Sequence, residues 1–282
     1  MNSMDAQRLT GSYSSIAGQL GLASNDCLFL ASDVTRLALR AKRDGERFTV
    51  DGWIDSFLTV LHRGTLIVPA FTDDLVNGDT FDPGTSPPTT GAVSNKVMRR
   101  GDAVRTMDPL HSVFVMGARQ QEIVELTDEA TFGANSVFGF MHRNKAKMLI
   151  VDVDFQHSFT FIHYLEQLWG MKYRRPVHLD MMIRRETGVE RRRCMYYAKK
   201  PGVSNDLHAY QRELQDRGIV RTFVLDDVPM ILLDLDEVAS YTRTYFDRGG
   251  RVHSFRWLVL VKTMVKRTVP FLATRFKSRS DG

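Results

Sequence analysis

Apolar residues in this chain gather in short β-branched runs, separated by stretches in which they recur every three or four positions. That alternation is the signal of strands exchanging with helices. Residues 26–31 (DCLFLA), 65–71 (TLIVPAF), 112–117 (SVFVMG) and 148–153 (MLIVDV) read as buried strands. Helical spacing is predicted over residues 12–20, 51–61, 119–126 and 137–142. Trp53, Ile54, Phe57, Leu58 and Leu61 mark a core face in the second of these. Ser32 can cap a helix that closes near Lys42-Arg43-Asp44-Gly45, and a further helix runs from Thr90 or Gly91 to about Arg99. Four alternations of strand and helix predict an α/β fold with a mainly parallel central sheet flanked by helices.

Beyond Gly170 the pattern changes. Residues 178–185 and 191–199 flank Glu186-Thr187-Gly188, which predicts an antiparallel pair with Arg184, Arg185, Arg191, Arg192 and Arg193 near its tip. A helix over 206–217, strands over 220–225 and 230–235 and a helix over 234–246 follow. The expected organisation is one domain over 1–250, in which 170–250 form an antiparallel and helical extension, followed by a basic amphipathic tail over 251–282. Such a tail suits peripheral contact with an anionic membrane or a protein, or packing on its own domain. Residues 72–90 carry Asp73, Asp74, Gly78, Asp79, Asp82, Pro83, Gly84, Pro87 and Pro88 and predict a long loop, a length that often marks function.

Composition narrows the class without naming a reaction. The chain has 282 residues, 43% hydrophobic and 25% charged, which is ordinary globular material. Its two cysteines, Cys27 and Cys194, exclude a disulfide framework and fit a reducing compartment. The first residues lack a basic-then-apolar signal pattern, and no run of about 18 uncharged apolar residues occurs, so a cytoplasmic location is expected. A formal charge of +5 leans toward anionic partners, though so modest an excess is also common in proteins that bind none.

The stretch from Lys147 to Gly170, KMLIVDVDFQHSFTFIHYLEQLWG, is the richest in candidate chemistry. A strand runs into a helix expected to start at Ser158, and the carboxyl ends of strands in open α/β sheets are where ligands collect. His163 and Glu166 stand one turn apart on that helix, where the carboxylate can orient the imidazole or raise its basicity. The plain alternative is a core histidine beside a surface glutamate. A metal held by Asp152, Asp154, His157 and His163 matches no zinc spacing, and the Gly-x-Ser-x-Gly elbow of a serine hydrolase is absent.

Three stretches in order resemble the aminoglycoside 3-N-acetyltransferase family, whose fold is the antibiotic N-acetyltransferase fold. They are GTLIVPAFT with FDPGTSPPTTGAVSNKVMRR (64–72 and 81–100), AVRTMDPLHSVFVMG with FGANSVFGFM (103–117 and 132–141), and MLIVDVDFQHSFTFIHYLE with YRRP (148–166 and 173–176). The resemblance implies an acetyl-CoA-dependent N-acetyltransferase without a metal, in which His163 is the general base, Glu166 its acidic companion and His111 a second site histidine. It implies coenzyme contacts from the turn Ser32, Asp33, Val34 and Thr35, and from Thr72 and Ser112. Free amides at a helix start favour a pyrophosphate.

Two departures stand out. Ala31-Ser32-Asp33-Val34 replaces the relatives' His-Ser-Ser-Leu, and Asp108-Pro109 replaces their His-Pro, while His111-Ser112 is kept. An aspartate beside a pyrophosphate is unfavourable unless it caps the helix and faces away. The acceptor implied is the amine of a small amino sugar. Asp73, Asp82 and Tyr173 are its candidate contacts: an acidic loop would suit a polycationic aminoglycoside, whereas the arginine-rich hairpin would suit a nucleotide-linked or lipid-linked amino sugar. No nucleic-acid partner is expected. A catalytically silent scaffold is the remaining alternative, because function resides in the site and not in the fold.

Overall fold

In the computed structural model, residues 6–72 and 74–257 are described. The strands are β1 (Gln7–Arg8), β2 (Cys27–Ser32), β3 (Thr65–Pro69), β4 (Thr80–Phe81), β5 (Val104–Arg105), β6 (Val113–Gly117) and β7 (Lys147–Val151). They continue with β8 (Arg174–Arg185), β9 (Gly188–Lys199), β10 (Val203–Asn205), β11 (Val220–Leu225), β12 (Val228–Asp234) and β13 (His253–Phe255). The α-helices are α1 (Ile16–Gln19), α2 (Thr35–Arg43), α3 (Val50–Val60), α4 (Ala92–Val97), α5 (Gln120–Val124), α6 (Val137–Arg143), α7 (Phe155–Ser158), α8 (Phe161–Leu168), α9 (His208–Asp216) and α10 (Leu235–Asp247).

An eight-stranded sheet in the order β1-β11-β12-β7-β2-β3-β6-β5 carries a core on each face, and a smaller cluster of Phe81, Met181, Ile183 and Cys194 lies apart from both. Strand side chains alternate faces, so neighbours in sequence serve opposite layers. Phe29, Met148 and Ile150 pack on one side with Phe138, Phe161 and Leu165, while Leu28, Leu30 and Leu149 pack on the other with Leu37, Trp53 and Phe57. Local chemistry sets the helix starts. The Thr49 hydroxyl accepts from Gly52 N at 3.0 Å ahead of α3, and Asp234 caps α10 through Asp236 N at 3.2 Å.

The expectation of a mainly parallel sheet is corrected. β7, β2 and β3 run parallel and β1 runs parallel to β11, but β11–β12, β12–β7, β3–β6 and β6–β5 are antiparallel. The apolar runs of β6 and β12 announce burial on both faces and carry no information on direction. Direction follows from connection and pairing: β12 is returned against β11 by the tight turn at Asp226 and Asp227, where Asp226 adopts φ 53°, and it then pairs with the distant β7.

The segment read as an extension is divided. β11 and β12 complete the main sheet, whereas β8 and β9 form a separate antiparallel hairpin to which β4 adds in parallel. The long loop therefore contains a short strand at Thr80–Phe81. Of the segment read as a tail, β13 pairs with β10 and residues 258–282 lie outside the described part. No helix among the described residues is long and apolar enough to cross a membrane.

Candidate active site

The helix expected to begin at Ser158 begins at Phe161, and Ser158 instead ends a short preceding helix, α7. Asp154 caps α7, its carboxylate accepting from Gln156 N at 2.7 Å, and the chain turns at Phe159 and Thr160 before α8. Ser158 instead donates back to Asp154 O at 2.8 Å. On α8, Phe161, Ile162 and Leu165 enter the core, which turns His163 and Glu166 toward β8.

Glu166 is buried to 1% exposure, so the surface-glutamate alternative is wrong. Its Oε2 lies 2.7 Å from His163 Nδ1 and its Oε1 accepts from the Tyr173 hydroxyl at 2.7 Å. Arg174 Nε stands 2.6 Å from Oε2, an ion pair with no aligned hydrogen bond from that nitrogen. Burial alone would push the Glu166 carboxyl up. The hydrogen bond with His163, together with Arg174 and Tyr173, outweighs burial and holds Glu166 below the ordinary carboxylate value. For His163, burial wins over Glu166, with Arg174 and Lys199 adding to it, so the ring falls below the usual imidazole value. Its side chain keeps 16% exposure, enough to meet a ligand.

That exposure opens on a cavity of about 690 Å³ at the carboxyl ends of the parallel strands β7, β2 and β3, the position at which open α/β sheets hold ligands. Ser32, His111 and His163, distant in sequence, line it together. Phe71, Leu110 and Tyr196 supply apolar wall, and the long loop contributes Leu75, Thr89 and Thr90. Both Ser32 and His111 line this cavity, and the Ser32 Oγ and His111 Nδ1 are buried without a hydrogen-bond partner. His111 is packed among Phe71, Phe132 and Tyr196, and burial, only partly offset by Asp108, lowers it to about 4.

The other candidate residues are placed elsewhere. Asp33 accepts from Thr35 N at 2.8 Å, so its carboxylate already occupies the start of α2. Val34 is buried and Thr35 exposed, and neither lines the cavity. Thr72 donates to Pro109 O, and Ser112, fully buried, donates to Ala70 O at 2.7 Å and accepts from Arg105 Nε at 3.0 Å. Both hydroxyls bond to the surrounding framework, and neither residue lines the cavity. Asp108 accepts from Leu110 N and His111 N at 2.8 and 2.9 Å and so builds the turn that presents His111.

Asp82 accepts from Gly84 N at 2.8 Å and pairs with Arg184, away from the cavity wall; Asp73 lies outside the described residues. Tyr173 serves Glu166 and does not line the cavity. Hairpin arginines that suggested an anionic acceptor are engaged too: Arg185 with Glu190, Arg191 with Asp180 and Arg193 with Glu129. Sequence reading missed Arg174. Its YRRP context was noticed, but nothing local to that run says which arginine is buried. Among the described residues no group of three or more His, Cys, Asp or Glu is arranged to hold a metal ion.

The sequence matches the family described as aminoglycoside 3-N-acetyltransferase over residues 43–247. No curated protein sequence matches it significantly. Solved structures with the same fold include AAC-IIIb in a binary complex with CoASH, 19% identical with a TM-score of 0.71 over 84% of this chain and 97% of that one. A second is AAC(3)-IVa in complex with apramycin, 18% identical with a TM-score of 0.65 over 85% and 93%. A third is the YokD protein from Bacillus subtilis, 13% identical with a TM-score of 0.69 over 87% and 97%.

Proposed function

Because this chain belongs to the aminoglycoside 3-N-acetyltransferase family, we propose that it transfers the acetyl group of acetyl-CoA directly to the amine of an amino sugar, with His163 as general base. The observation that carries this reading is the His163 ring, held on Glu166 through Nδ1 and lining the cavity that also reaches Ser32.

The chemistry needs a neutral amine beside the thioester carbonyl, a base for the proton it sheds, and a donor for the carbonyl oxygen. The amine nitrogen attacks the carbonyl carbon, the C–N bond forms and the C–S bond breaks. His163 takes the amine proton, directly or through water, and gives it to the departing thiolate. The neutral His111 can donate an N–H to the thioester oxygen from the same cavity. No covalent enzyme intermediate is required. The neighbour solved with CoASH supports acetyl-CoA as donor, and the one solved with apramycin supports an amino-sugar acceptor. An aminoglycoside antibiotic is one member of that acceptor class.

His163→Ala should lower turnover at least about a hundredfold while coenzyme still binds. Release of coenzyme A thiol across a panel of aminoglycosides and free and nucleotide-linked amino sugars measures turnover; calorimetry measures binding. Unchanged turnover in the variant removes His163 from the role. A wild-type chain that binds no acetyl-CoA is the silent scaffold, an outcome to which the Asp33 carboxylate at the start of α2 lends weight.

A further inference from the structure

The His163–Glu166 pair is contested by a third group. Arg174, at the start of β8, has a fully buried side chain and reaches both members. Its Nη2 comes within 2.7 Å of His163 Nδ1, the atom that also meets Glu166 Oε2 at 2.7 Å, while its Nε stands 2.6 Å from that oxygen. The guanidinium is tied down from behind: Nη1 donates to Tyr197 O at 2.9 Å and Nη2 reaches Asn205 Oδ1 at 3.5 Å. A lone carboxylate on Nδ1 would favour the imidazolium, and an enzyme that rests with that ring charged has no base to offer. With the Nδ1–H given to Glu166, the guanidinium meets that nitrogen as a charge and not as a hydrogen-bond donor; it shares the carboxylate, opposes protonation of the ring and leaves Nε2 as the atom that can accept a proton.

We propose that Arg174 is a positioning residue for the transfer reaction: it withdraws part of Glu166 from His163, so that the ring rests uncharged and faces the cavity as a proton acceptor. The proposal rests on the acetyl-transfer reading for its purpose, but its physical content is the charge state of one ring. The groups around that ring come from several elements. Glu166 shares its helix, Arg174 and the preceding Tyr173 come from the start of β8, Lys199 from β9, His111 from the turn before β6, and His253 of β13 stacks on Tyr173 at 3.6 Å. None of these except Arg174 touches both Nδ1 and the carboxylate. The arrangement also explains why Tyr173 holds Oε1: with Arg174 on one oxygen, the other needs its own donor.

The experiment follows the His163 ring by NMR as pH is varied, in the wild type without substrate, in Arg174→Met and in the double variant Glu166→Gln with Arg174→Met. The pH dependence of kcat/KM is measured in parallel. The wild-type ring should be neutral at pH 7. In Arg174→Met its titration midpoint and the acid limb of kcat/KM should both rise by at least about one pH unit, since a unit charge within about 4 Å is worth more than that at an effective dielectric near 20. The double variant, which removes both charges, should bring the midpoint back down, a coupling that a merely structural arginine would not produce. A wild-type ring charged at pH 7, or a folded Arg174→Met with an unmoved midpoint, overturns the proposal; where Arg174→Met does not fold, Arg174→Lys, which keeps the charge but not the fork, should leave the midpoint near the wild-type one, and a raised midpoint there overturns it as well. Failure of the acetyl-transfer reading has a different signature: the NMR shifts appear while no amine releases coenzyme A.

Discussion

His111 makes the stability of this fold depend on acid in a way that can be worked out in advance. Its ring is 9% exposed, packed among aromatic side chains, and lowered from 6.5 to about 4 because burial disfavours the imidazolium. Asp108 opposes that shift, and His163 and Arg174 reinforce it. The folded chain therefore binds fewer protons here than the unfolded chain between the two values. Stability then rises with pH through that window, is fully present above about 6.5, and is lost as pH falls toward 4. Each unit is worth about 1.4 kcal/mol, so the drop from 6.5 to about 4 costs roughly 3 kcal/mol at this one residue. Urea unfolding at pH 7 and at pH 4.5 measures it in the wild type and in His111→Phe, a ring that suits a site walled by Phe71, Phe132 and Phe138. The variant should lose markedly less stability on acidification than the wild type, by about 2 kcal/mol of difference at that pH. Equal losses would mean that this imidazole is solvated or already charged in the native state, and the account of a neutral, cavity-lining His111 would go with it.

Other perturbations test other parts of the structure. Ser112→Ala should cost about 2 kcal/mol of stability, because it strips Ala70 O and the Arg105 guanidinium of a buried partner, and should leave the Michaelis constant for acetyl-CoA unchanged; a raised constant in a chain of wild-type stability would restore Ser112 to the coenzyme site. Gly139→Ala should destabilise by about 2–3 kcal/mol, read as a lower urea midpoint, since its Cβ would stand 2.2 Å from the backbone oxygen of Ala134. Asp33→Ser should tighten coenzyme A binding in calorimetry by freeing the first amide of α2 from its carboxylate, and weaker binding would place the pyrophosphate elsewhere.

Much of this protein was legible along the chain. The runs at 26–31, 65–71, 112–117 and 148–153 are strands, and the spacing of Trp53, Ile54 and Phe57 is a helix face, because burial imposes a period on sequence that survives in any fold. The interval of three residues between His163 and Glu166 guaranteed that a helix would bring them together. Three things were decided only in three dimensions. The direction of β6 and β12 depends on which neighbour each strand finds, and a strand buried on both faces reads the same either way. The meeting of Ser32, His111 and His163 at one cavity depends on the order of strands in the sheet. Whether a polar residue serves a ligand or the framework depends on what else becomes buried beside it. That is why the Ser112 hydroxyl bonds to Ala70 and Tyr173 to Glu166, why Asp82 bonds within its own loop, and why Arg174, one arginine of two in YRRP, stands behind the candidate base. Charge and hydrogen-bond capacity are written in the residue, but their use is set by the dielectric and the partners that the packed structure supplies.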